Sequence, residues 1–223
     1  MQTSISFSSG LHPVNWGVYP YNGSASHNPP EMCCHTLVEY QNKLYLFGGG
    51  IVGKTYCMVS MFDLATKRWS KLGSGSNPIH PRLSHSSVVI DGKMYVYGGI
   101  SLFRSFSDLW RYDLKTHEWE QVESPTAPLV KRRSHSAVVY EGRMYVLMGS
   151  AKSNLRDMWV YDPRTNVWTE LFNHTSLEYG FPALGLAGHS ALVRDDNMYV
   201  FGGVIDCTPP MRHTNKVHRY NFT

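Results

Sequence analysis

The chain has 223 residues, 42% of them hydrophobic and 13% aromatic, which is enough for one substantial core and short for two. Lys and Arg total 21 against 17 Asp and Glu, and this surplus of four is too mild to indicate nucleic acid unless it gathers on one face. No run of 18 apolar residues occurs and the first residues lack the basic-then-apolar order of a signal peptide, so neither a membrane span nor export is expected. With four cysteines and no disulfide framework, a protein of the cytoplasm, with the nucleus as second choice, is the expectation.

Residues 1–32 precede any repeat and contain one tryptophan, Trp16. From there the sequence repeats. Segments 34–49, 84–99, 134–149 and 188–203 align, with histidine second in each: His35, His85, His135 and His189. Their spacings are 50, 50 and 54 (85 − 35, 135 − 85, 189 − 135). Each segment predicts a strand a, a two-residue turn such as Asp91-Gly92 or Glu141-Gly142, and a strand b that ends at a glycine pair. A third strand then carries Phe62-Asp63, Tyr112-Asp113 or Tyr161-Asp162. Seven residues beyond each aromatic, a fourth strand carries Trp69, Trp119 or Trp168. No window shows a sustained helical period, so helices should be scarce.

A period near 50, four strands per unit, paired glycines and a late tryptophan together resemble the kelch repeat of β-propellers. The likeness covers residues 33–223, and residues 1–32 stand as an N-terminal segment. The resemblance implies an all-β fold, a kelch-type propeller of about four blades of four-stranded antiparallel sheet. Gly48, Gly49, Gly98, Gly99, Gly149, Gly202 and Gly203 would end strand b where the axis is crowded and unusual backbone dihedrals are needed. Met148 replaces the first glycine of the third pair, so that position must accept a side chain. The tryptophans would cover the apolar surfaces between blades. The four histidines occupy equivalent positions, which predicts one structural hydrogen bond made repeatedly and no metal ring.

The fourth unit ends at Tyr220-Asn221-Phe222-Thr223, and its tryptophan would fall at 220 + 7, position 227. Trp16 lies 19 residues before His35, within the 16 to 21 that separate Trp69, Trp119 and Trp168 from the next histidine. Two readings stand open. Either the segment around Trp16 supplies the outer strand of the fourth blade and closes a four-bladed ring, or the repeats are part of a truncated or paired ring. The kelch family more commonly has about six blades, and an incomplete ring would expose an apolar blade surface suited to self-association.

Alternating strand direction puts the b–c and d–a loops on one face and the short a–b and c–d turns on the other. The long-loop face collects Lys54, Arg82, Arg104, Lys131, Arg132, Arg133, Lys152, Arg156, Arg212 and Lys216 against Glu123, Glu178 and Asp206. Arginines in a concave setting can take carboxylates bidentately. Lys54, Arg82, Arg104, Arg132, Arg156 and Arg212 are therefore the candidate partner-binding residues, and an acidic peptide or C-terminal carboxylate is the candidate partner. The expected function is a non-enzymatic protein-interaction module or adaptor, without cofactor, metal, membrane or nucleic acid. The alternatives are a truncated or partial propeller without independent function and, ranked below it, a metal-dependent enzyme, for which only residues 204–216, with Asp206, Cys207 and His213, offer a non-repeating cluster. The stretch from Gly48 to Thr55 superficially resembles a phosphate loop but lacks strand-to-helix context.

Overall fold

The computed structural model describes residues 28–73, 78–102, 104–172, 185–206 and 210–223; Trp16, Cys207 and Glu178 lie outside them. All regular structure among the described residues is β. The first blade comprises β1 (Thr36–Tyr40), β2 (Lys43–Phe47), a small hairpin of β3 (Gly50–Ile51) and β4 (Lys54–Thr55), β5 (Val59–Asp63) and β6 (Arg68–Leu72). The second has β7 (Ser86–Ile90), β8 (Lys93–Tyr97), β9 (Leu109–Asp113) and β10 (Trp119–Val122). The third has β11 (Ser136–Tyr140), β12 (Arg143–Leu147), β13 (Met158–Asp162) and β14 (Val167–Phe172). The fourth has β15 (Ser190–Arg194), β16 (Asn197–Phe201), a hairpin of β17 (Val204–Asp206) and β18 (Arg212–His213), and β19 (Val217–Asn221). Three sheets are four-stranded in sequence order, and the fourth, β15-β16-β19, is three-stranded. The hairpins β3–β4 and β17–β18 occupy b–c connections in which the sequence predicts loops.

Local chemistry sets the register. Gln41-Asn42, Asp91-Gly92 and Glu141-Gly142 all have positive φ at both residues, the turn whose twist matches the flanking strands. Between strands c and d, Asp63 Oδ1 accepts from the N–H groups of Ala65 and Thr66, and Asp113 Oδ1 from those of Lys115 and Thr116. Asp162 Oδ1 accepts from the Arg164 N–H in the same way. Hydrogen bonding from Lys93 and then from the turn amides holds the Asp113 carboxyl well below the usual range.

Three apolar clusters fill the gaps between blades. Phe47 and Val59 pack with Met94, Val96 and Tyr112 between blades one and two. Ile90 and Tyr97 pack with Met144, Val146 and Tyr161 between two and three, and Val138 and Leu147 with Met198 and Val200 between three and four. Two of the tryptophans work as the repeat predicts: the Trp119 ring lies 4.9 Å from that of Phe47, and Trp168 lies 5.0 Å from Tyr97, each across a junction, whereas Trp69 lies 5.1 Å from Phe62 of its own blade.

Near the axis, the same polar contacts recur. Ser84 N–H donates to the Cys34 carbonyl, Ser134 N–H to Ser84, and Gly188 N–H to Ser134, at 2.8–2.9 Å. In the first three blades the second residue of the pair donates to the next blade: Gly49 to the Arg82 carbonyl, Gly99 to Arg132 and Gly149 to Leu186. A Cβ on Gly48 would meet the Arg82 carbonyl and the His85 ring at 2.7 Å, which is why this turn uses glycine at φ +66. β1 packs on β7, β7 on β11 and β11 on β15, whereas β15 and β1 show no comparable packing. Among the described residues the four propeller blades therefore form an open arc. The expected closing role of the Trp16 segment falls outside those residues.

Candidate partner-binding face

The b–c and d–a loops emerge on one side, as strand alternation requires, and the b–c loops are held to the d–a loops by backbone bonds. Arg82 N–H donates to the Tyr56 carbonyl and Arg132 N–H to that of Phe106. Between the third and fourth blades Asn154 Nδ2 joins one b–c connection to the next, donating to the Val204 and Ile205 carbonyls at 2.7 and 3.0 Å.

Two of the six candidate binding residues are not on this surface. Arg82 and Arg132 are fully buried. Arg82 donates to both Asp108 carboxylate oxygens at 2.8 and 2.9 Å and to the Gly98 carbonyl. Arg132 does the same with Asp157, at 2.8 and 2.6 Å, and with the Met148 carbonyl. Burying a guanidinium requires a paired carboxylate, and here each pair ties the entry of strand a to the entry of strand c within one blade. Their role is architectural, which corrects their assignment to the partner face. Arg156 is half-buried with its Nε enclosed, and Arg212 sits exposed on the β17–β18 hairpin.

Lys54 and Arg104 do come together. They line a cavity of about 340 Å³ at the junction of blades one and two, with His80, Pro81, Leu102 and Phe106, and no carboxylate is among its lining residues. Phe106 organises the wall: the buried Arg82 guanidinium lies 4.3 Å from its ring centroid and the exposed Arg104 guanidinium 4.8 Å from it. Lys54 stands over Tyr56 at 5.1 Å. A cation two residues before an aromatic thus recurs at a spacing of 50, as Lys54–Tyr56 and Arg104–Phe106. The sequence reading missed Phe106 and His80, although that doubled pattern was there to find. Exposed apolar side chains lie on the two b–c loops that line the site, at Ile51, Val52 and Leu102, with Leu129 and Met211 on other loops of the same face.

The histidines are structural where they are enclosed. The His85 Nε2 hydrogen-bonds Thr36 Oγ1 at 2.9 Å and His135 Nε2 hydrogen-bonds Ser86 Oγ at 2.8 Å, each across a junction. At the third junction Ser136 Oγ donates instead to the His189 carbonyl. Burial pushes His85 down to about 3 and His189 to about 4, and holds His135 well below the ordinary value, so all three stay neutral. His35 is exposed, so the expected bond is made twice and not four times. Among the described residues no three His, Cys, Asp or Glu side chains gather as a metal site, and nothing supports the enzymatic alternative.

A larger cleft, about 740 Å³, lies on the opposite, short-turn face between blades one and two, where Asp91 and Asp113 alternate with Lys43 and Lys115. Its mixed charge gives no preference for one sign of ligand.

Residues 11–203 match the family described as the KLHDC2/KLHL20/DRC7 Kelch-repeats domain. The chain belongs to that family. Kelch propellers of this kind generally bind protein partners and are typically non-enzymatic. No curated protein sequence matches the chain. Among solved structures it is similar to one titled "Structure of YjhT", with a TM-score of 0.72 and 20% identity, over 88% of this chain. The kelch chain spans 65% of that structure's length, and at this identity the likeness concerns the fold.

Proposed function

We propose that this kelch module is an adaptor that captures an acidic protein segment on its long-loop face. One observation carries the reading: Lys54, His80 and Arg104 ring a cavity of about 340 Å³ with no carboxylate among the described residues that line it. The aromatic floor favours the reading too, since a guanidinium stacked on Phe106 is pre-oriented and loses little freedom on accepting a carboxylate. Leu102 and the neighbouring Val52 add exposed apolar surface, so the preferred segment combines acidic and apolar side chains. An acidic side chain and a free C-terminal carboxylate both fit this chemistry.

An array of acidic peptides, each with free and amidated C-termini, tests the proposal by fluorescence polarisation. Arg104→Glu and Lys54→Glu should each weaken the best binder at least tenfold, and raised salt should weaken it further. Failure of every acidic peptide to bind, or binding indifferent to both reversals, would overturn the reading.

A further inference from the structure

The two ends of the arc carry complementary halves of the junction that the chain uses three times between its own blades. At each internal junction the earlier blade offers a hydroxyl just after its histidine, a bulky side chain before its glycine pair, the N–H of the second glycine, and the carbonyl of the residue before its histidine. The later blade brings its histidine, the N–H of the residue before it and the carbonyl three residues before it; in the first two junctions it also brings a tryptophan.

Blade four presents the first set without an occupant among the described residues. Ser190 is exposed, Phe201 is 54% exposed, and the Gly203 N–H and Gly188 carbonyl make no backbone bond to a described residue. A Cβ on Gly202 would meet nothing closer than 3.6 Å, where Gly48 and Gly98 are pressed against the following blade. Leu192 and Val217 lie bare where Val38 and Val59 are packed at the first junction. Blade one presents the second set. His35 and Cys34 are exposed, and Cys34 has φ 57, matching Ser84 at 55, Ser134 at 53 and Gly188 at 66.

Charge decides what fits. At the ends of the inner strands, Tyr40 shares a cluster with Val89, Ile90 with Val139, and Tyr140 with Val193. The equivalent pair at the open ends is Arg194 and Glu39, both exposed and of opposite charge. We propose that a second copy of the chain docks head-to-tail through these surfaces, with blade one of one copy seated on blade four of the other. Such a contact is heterologous and therefore closes into a ring or extends. Reciprocal docking of two four-blade arcs gives eight blades, which is within the range of propellers.

Sedimentation velocity on the full chain at about 100 μM, where an interface of ordinary size is saturated, reads the association directly. The expected species has at least twice the 25.3 kDa of one chain. Arg194→Glu and Glu39→Arg should each weaken association at least tenfold, and the two reversals combined in one chain should restore it. Both sites are exposed, so Arg194→Glu should melt with the parent, and Glu39→Arg, which loses one bond from the Asn42 N–H at 2.9 Å, should melt within about 4 °C of it. Phe201→Asp should abolish the larger species. A 25.3 kDa monomer throughout overturns the proposal, as it would if residues 1–27 cover the surface. Association that both single reversals leave unchanged overturns it equally.

Discussion

Replacing Arg132 with methionine isolates the buried ion pair of the third blade. The substitution removes two bonds to Asp157, at 2.8 and 2.6 Å, and one to the Met148 carbonyl at 3.0 Å. It leaves the Asp157 carboxylate, 13% exposed, with the Trp159 indole N–H at 3.0 Å as its remaining side-chain donor. An uncompensated buried charge of this kind costs about 3–5 kcal/mol. For a chain of this length, each kcal/mol lowers Tm by about 2–4 °C, so the melt should fall by roughly 6–20 °C. The chain contains its own control. In the first blade the equivalent positions are Met32 and Met58, an apolar pair on the same backbone: the Gly48 N–H donates to the Met58 carbonyl as that of Met148 does to Asp157. The double replacement Arg132→Met with Asp157→Met should therefore recover most of the loss and lie within about 1 kcal/mol of the parent. Differential scanning calorimetry on the two single variants and the double completes the cycle. Singles as stable as the parent, or a double less stable than either single, would refute the assignment of these residues to an architectural pair.

Three further outcomes follow from the same geometry. Because burial depresses the histidines, the unfolded chain takes up protons below pH 6.5 that the native state refuses. Their stability contribution is complete above that value and is lost as pH falls from about 6.5 towards 4, at about 1.4 kcal/mol per pH unit for each histidine. The urea midpoint should therefore drop between pH 7.5 and 5, and His135→Gln should flatten the slope. Gly98→Ala places a Cβ 2.8 Å from the Arg132 carbonyl in a left-handed residue and should cost more than 2 kcal/mol, whereas Gly202→Ala at a dilution that keeps the chain monomeric should cost only the backbone strain, about 1 kcal/mol. Asp113→Ala removes two turn bonds and the Lys93 pair at 2.9 Å, and thermal melts should show a loss of about 1–2 kcal/mol.

The blades were legible because their signals are local and repeated. Turn dipeptides, glycine pairs and tryptophans each report on residues within one hairpin, and their recurrence at 50 residues multiplies a weak signal. Arg82 and Arg132 were misread for the opposite reason. Their partners Asp108 and Asp157 lie 26 and 25 residues downstream, at the entry of another strand, so a scan for basic loops counts the arginines and overlooks the carboxylates. Aligning the repeats at those two positions would have exposed the coupling: Arg with Asp twice, and methionine with methionine once. The cavity lay further out of reach, because it is assembled from the b–c loops of two blades and the d–a loop between them.

The same alignment explains why the two ends of the arc differ from its interior. Blades two and three, enclosed on both sides, keep the Arg–Asp pair, and theirs are the histidines whose rings bond a hydroxyl of the preceding blade. In blade four the pair becomes Leu186 and Lys216, its inner strand carries Arg194 where the other blades have Tyr40, Ile90 and Tyr140, and its third strand carries Arg219, as blade two carries Arg111. A blade that had only to face water would gain from losing its remaining apolar residues. Instead Leu192, Phe201 and Val217 persist beside those arginines, in register with residues that pack at the first junction. Apolar contacts fenced by charge are what an interface needs when it must form with one partner and reject others.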